Sequence, residues 1–134
     1  MARISFRAAI LSIAIVCVLA FNRCANDSLA PFQPEVTNAT DNFQLQATGV
    51  KRVTATKNYS WTNTGVQATI NHSTTTTFGT ARLIVKDNGG AVVYDRALAP
   101  SLSDTTLVGA SGTWTISLVL NNYSGTLNFR VQKL

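Results

Sequence analysis

The chain has 134 residues, 13% of them charged and 46% hydrophobic, with a formal net charge of +5. Arg3, Arg7 and Arg23 lie in the N-terminal segment, and the rest of the chain sets eight Lys and Arg against six Asp and Glu, an excess of +2. That excess is too small for the electrostatic footprint of a nucleic-acid binder, and one histidine with two cysteines cannot supply a zinc ligand set.

In chain order, residues 1–7 are short and basic, and residues 8–21 are apolar apart from Ser12. A basic segment before an apolar run of roughly 7–15 residues is the layout of a secretory signal. A membrane-spanning helix needs about 20 apolar residues, and this run stops at Asn22 and Arg23. Residues 1–23 therefore read as a signal peptide. The rest is expected to be extracytoplasmic: periplasmic, secreted, or held at the outer membrane.

Two endings fit the signal. Val18-Leu19-Ala20 suits cleavage after Ala20. Cys24 resembles the lipidated cysteine of bacterial lipoproteins, although Phe21-Asn22-Arg23 departs from the small-residue ending of a lipobox. Cys17 leaves with the apolar run, so Cys24 is a lone thiol, read as a lipid anchor or as a free or intermolecular cysteine. Residues 24–41, rich in Asn, Asp, Ser and Thr with Pro31 and Pro34, read as a flexible tether.

From residue 42 to residue 134 side chains alternate with period two, which predicts strands and no helix. Phe43, Leu45 and Ala47 form a short strand, and Val53, Ala55, Tyr59 and Trp61 share one face of a longer one. Asn63-Thr64-Gly65 turns the chain into Val66, Ala68, Ile70 and His72. Thr74 to Thr77 reads as a loop or an exposed strand edge. Ala81, Leu83 and Val85 form one arm of a hairpin, with Asp87-Asn88-Gly89-Gly90 as a type I′ turn before residues 92–97. A weaker strand covers residues 104–108. Trp114, Ile116, Leu118 and Leu120 then alternate with Thr113, Thr115 and Ser117. Leu127, Phe129 and Val131 repeat the pattern, and residues 121–125 are expected to turn the two into a closing hairpin. About eight short strands predict an all-β antiparallel β-sandwich, jelly-roll-like, braced by no disulfide.

The run Gly112-Thr113-Trp114-Thr115-Ile116 with Leu118 and Leu120, followed by Ser124-Gly125-Thr126-Leu127-Asn128-Phe129, resembles the closing hairpin of bacterial extracytoplasmic jelly-roll modules. These are the pre-peptidase C-terminal and P-domain-like modules. Residues 42–134 also resemble small exported or lipoprotein-like β-sandwich proteins of bacteria. The resemblance implies a non-catalytic accessory role beside an enzyme, though no enzyme is attached in this chain.

Catalytic chemistry finds no foothold. The single His72 falls in phase with Val66, Ala68 and Ile70, which makes it a structural residue at a strand end, and no nucleophile motif accompanies it. Asp87, Asn88 and Asp104 have the oxygen chemistry of a calcium site, but turn formation explains them. Tyr59 and Trp61 are the ligand-binding candidates, two apart on one strand face and able to form a sugar-stacking platform, although Trp61 reads first as core, with the polar Lys57 in phase leaving the platform open; Tyr94 and Tyr123 are separate aromatic candidates. Trp114 reads as core. The expected function is a non-catalytic exported binding or accessory module of the bacterial envelope, with a protein or glycan partner at the cell surface and no cofactor. A structural or adhesive envelope subunit is the alternative, and a hydrolase accessory domain is a further one.

Overall fold

Threonine alternating with apolar residues favours extended backbone, because β-branched side chains suit a pleated surface with one wet face. The computed structural model describes residues 32–134, and there the pattern yields strands and turns without a helix. The strands are β1 (Glu35–Ala39), β2 (Asn42–Asn63), β3 (Ala68–His72), β4 (Thr75–Lys86), β5 (Val92–Ala97), β6 (Leu102–Thr105) and β7 (Gly112–Lys133). All pairings are antiparallel. The signal peptide of residues 1–23, its cleavage point, Cys17 and Cys24 lie outside the described residues.

Strands β2 and β7 have 22 residues each and pair along their whole length, from Asn42 opposite Gln132 to Asn63 opposite Gly112. Both bend at mid-length. In β2 the buried positions step by three through Ala47, Val50 and Val53, where the ladder with β7 slips. In β7 the buried phase changes between Leu120 and Tyr123, with Asn122 at φ 46°. Each extra residue makes a β-bulge, which bends the strand and tightens its twist.

The bends fold one sheet onto itself. The first layer holds β1, residues 42–47 of β2, residues 127–133 of β7, β3 and β6. The second holds residues 55–63 of β2, residues 112–120 of β7, β4 and β5. Counted once per layer, β2 and β7 complete the eight-strand order of a jelly roll, with β1 as an added edge. Between the layers, Phe43, Leu45, Ile70, Leu127, Phe129 and Val131 meet Trp61, Leu83, Val85, Trp114, Ile116 and Leu118, none more than 1% exposed. Burying each such side chain stabilises the fold by about 1.5–3 kcal/mol.

Four sequence expectations give way. Residues 113–120 and 126–133 are not a hairpin; they are two halves of β7, and both pair with β2. Asn122 and Gly125 supply positive φ, which a bulge uses as readily as a turn does. The tether ends early: Phe32 is buried and β1 pairs with β2 from Glu35 opposite Gln46 to Ala39 opposite Asn42. All five side chains of β1 are exposed, so backbone bonds hold it and composition does not signal it. In the Asp87–Gly90 loop only Gly90 has positive φ, and its N–H donates to the Asp87 carbonyl at 3.0 Å. That is a three-residue loop with a left-handed glycine, not a two-residue type I′ turn. Finally, β6 lies at Leu102–Thr105 and leaves Leu107 and Val108 exposed.

Candidate functional site

Trp61 is not a platform. It sits opposite Trp114 across the β2–β7 ladder, packed edge to face at 5.8 Å, and its indole N–H donates to the Ala39 carbonyl at 3.0 Å. At 1% exposure it offers no ring face to a ligand. Tyr59 is half-buried against Phe43, with ring centroids 5.3 Å apart, and burial pushes its hydroxyl pKa up. Tyr94 and Tyr123 are buried as well. The Tyr123 hydroxyl donates to the Thr75 carbonyl and lies equally near that of Thr126, which ties the inside of the bend.

His72 is buried beneath the first layer's rim. The Ala99 N–H donates to its Nδ1 at 3.2 Å, so the ring proton lies on Nε2, which meets the Tyr94 hydroxyl at 2.8 Å. Burial holds this imidazole below its ordinary pKa, with Asp104 pulling it up and Arg96 pushing it down. Burial also drives Tyr94 up to about 12. Asp87 forms its turn through Oδ1, which accepts the N–H groups of Gly89 and Ala91, while Oδ2 accepts that of Ala110. Those bonds hold its carboxyl below the usual carboxylate range. Asp104 pairs with Arg96 at 2.9 Å.

The structure brings together a different set of residues. With Phe43, Leu45, Phe129 and Val131 turned inward, alternation sends Asn42, Gln44, Gln46, Asn128, Arg130 and Gln132 to the outer face of the first layer. Register then aligns them across strands. Thr37, Gln44, Arg130, Asn71 and Ser103 form one row over β1, β2, β7, β3 and β6. Ala39, Asn42, Gln132, Thr69 and Thr105 form a second, and Glu35, Gln46 and Asn128 a third. Four interstrand gaps make the first row about 19 Å long.

A depression of about 240 Å³ opens in this face, lined by Gln44, Asn71, His72, Ser73, Asn128 and Arg130. Its floor is fixed by Thr74, whose hydroxyl donates to the Asn128 carbonyl and accepts the Asn128 N–H, each at 3.0 Å. Arg130 donates to Gln44 Oε1 at 2.9 Å. Among the described residues, the side-chain amides of Gln46, Asn71, Asn128 and Gln132 carry no hydrogen bond within the protein. An amide sets a donor beside an acceptor, which matches the neighbouring hydroxyls of a sugar.

Apart from His72, read as structural, none of these residues was singled out from the sequence. The signal for them was the polar phase of residues 42–46 and 128–132, which takes meaning only once the strands are in register. Phe78 was also missed: it stands 54% exposed on the bend, just past the threonine run.

No family model matches the chain, and no curated protein matches it. Among solved structures the chain is similar to the C-terminal CBM6 of LamC, a marine laminarinase from Zobellia galactanivorans. The identity is 8% and the TM-score 0.31, over 76% of this chain and 90% of that one.

Proposed function

We propose that this protein is an exported, non-catalytic module that binds a glycan on the outer face of its first layer. One observation carries the reading: in polar rows that register aligns over five strands, amide side chains of β2, β7 and β3 gather around a depression, and most of them leave their donors and acceptors unspent. A sugar chain presents many hydroxyls and large C–H surfaces, and such a face meets it with hydrogen bonds where a folded protein partner would want an apolar centre. The basic and apolar run of residues 1–21 supports export.

The test is affinity electrophoresis of the purified protein through gels containing a panel of soluble polysaccharides. Retardation by at least one polymer is expected, and the triple variant Gln44→Ala, Asn71→Ala, Arg130→Ala should migrate freely while melting near the wild-type temperature. Binding that persists in the folded triple variant, or no retardation by any polymer, defeats the reading.

A further inference from the structure

Phe78 is the one exposed large aromatic side chain among the described residues. A ring left 54% in water runs against ordinary burial, and the backbone around it is built to keep it there. The β4–β7 ladder slips on both sides of Phe78. The next residue, Gly79, has φ 71°, and a Cβ placed on it would lie 2.2 Å from the Asn122 carbonyl oxygen. Only glycine allows that approach.

Arg52 completes the patch. It sits in a bulge of β2 at φ 48°, an uncommon conformation for a non-glycine residue, and its N–H donates to Ser124 Oγ at 2.9 Å. Phe78 pairs with the same Ser124 from the other side. The guanidinium of Arg52 lies 5.6 Å from the Phe78 ring centre, within cation–π range. Lys51 beside it is exposed too. Among the described residues the ion pairs are Arg82–Asp95, Arg96–Asp104 and Lys133–Asp41, so neither bend cation is neutralised by a carboxylate.

We infer that Phe78 and Arg52, with Lys51, form a subsite for an anionic sugar unit, carboxylated or sulfated, at one end of the glycan path. The ring takes the C–H face of the sugar, and the guanidinium takes its charged oxygens through paired N–H donors. Ser124 and Arg130 lie on the same strand six residues apart, about 20 Å at 3.3 Å per residue. A chain lying along β7 therefore meets the amide rows and the bend together. This inference rests on the glycan-binding reading above and adds the charge of the ligand.

The experiment titrates the protein with three related polymers: a neutral galactan, polygalacturonate and a sulfated galactan. At least one acidic polymer should bind about tenfold more tightly than the neutral one, with an advantage that shrinks as salt rises. Which acidic polymer wins assigns carboxylate or sulfate. Arg52→Gln should erase that advantage and Phe78→Ala should weaken binding of the acidic polymer at least about fivefold, with the melting temperature unchanged in both. Equal affinity for neutral and acidic polymers overturns the subsite but leaves the glycan reading intact. So does a preference for acid that survives both substitutions. Binding to none of the three, with none to the wider panel, removes both.

Discussion

The two outer faces of the sandwich share the same two long strands, both are polar, and they differ in the reach and grouping of their polar side chains. On the second layer the rows are Thr62 with Thr113, Ser60 with Thr115, Asn58 with Ser117, and Thr56 with Val119. Their side chains are short, and within these rows one cross-strand bond forms, Ser117 donating to Asn58 Oδ1 at 2.7 Å; beside them Arg82 is paired with Asp95. Val119 and Ile84 interrupt the rows. The first layer instead carries long amides around a depression, and most of them are unengaged. A polar face becomes a site through donors and acceptors with reach, grouped around a depression, not through polarity alone.

The largest effect belongs to the core on which both faces stand. Trp114→Ala should cost about 3–5 kcal/mol in denaturant unfolding, and Trp61→Ala a loss in the same range. A Trp61 variant of near wild-type stability would mean the β2 edge is looser than its packing against Trp114 implies. Next comes binding on the amide face. Asn71→Ala alone removes about 0.5–1.5 kcal/mol of glycan affinity if it makes one hydrogen bond, read by calorimetry against the polymer that retards the wild type.

A smaller effect is a pH dependence under the same face. The folded state holds His72 below the ordinary value of 6.5 through burial, so the unfolded chain takes up the proton first. Stability is then full above about pH 6.5 and falls as pH drops below it. Asp41, Asp87 and Asp95 are held low and titrate only in more acid solution. Melting temperature should therefore decline between about pH 6.5 and 5 in the wild type and stay flat in His72→Gln. A wild type that is flat over that interval breaks the assignment. The smallest effect is on the second layer: Thr56→Ala with Ser60→Ala should change neither glycan affinity nor, beyond about 0.5 kcal/mol, stability. Lost binding in that pair would erase the contrast between the faces.

Much of the sandwich was legible because period-two alternation survives in Trp114 to Leu120 and in Leu127 to Val131, and those residues are its core. What alternation could not say is whether a break in phase is a turn or a bulge. Asn121-Asn122-Tyr123-Ser124-Gly125 has the residues of either, and only the partner strand decides. Strand β1 was invisible because it buries no side chain. Trp61 was ambiguous because its neighbours Lys57 and Tyr59 sit on an edge that is half open. The polar rows draw on β1 and β6, the one read as tether and the other expected at residues 104–108 where it spans Leu102–Thr105, so no row could be assembled before the register was known.

The long bent strands have a consequence for how the chain reaches this state. Neither half of the sandwich owns a full set of partners, since β2 lies against β7 throughout and Asn42 must find Gln132. Amide hydrogens of both halves should therefore exchange through one cooperative opening rather than two. Closing so distant a pair is slow, and in a nascent chain β2 has β1 beside residues 42–46 but nothing along the rest of its length until β7 has been made.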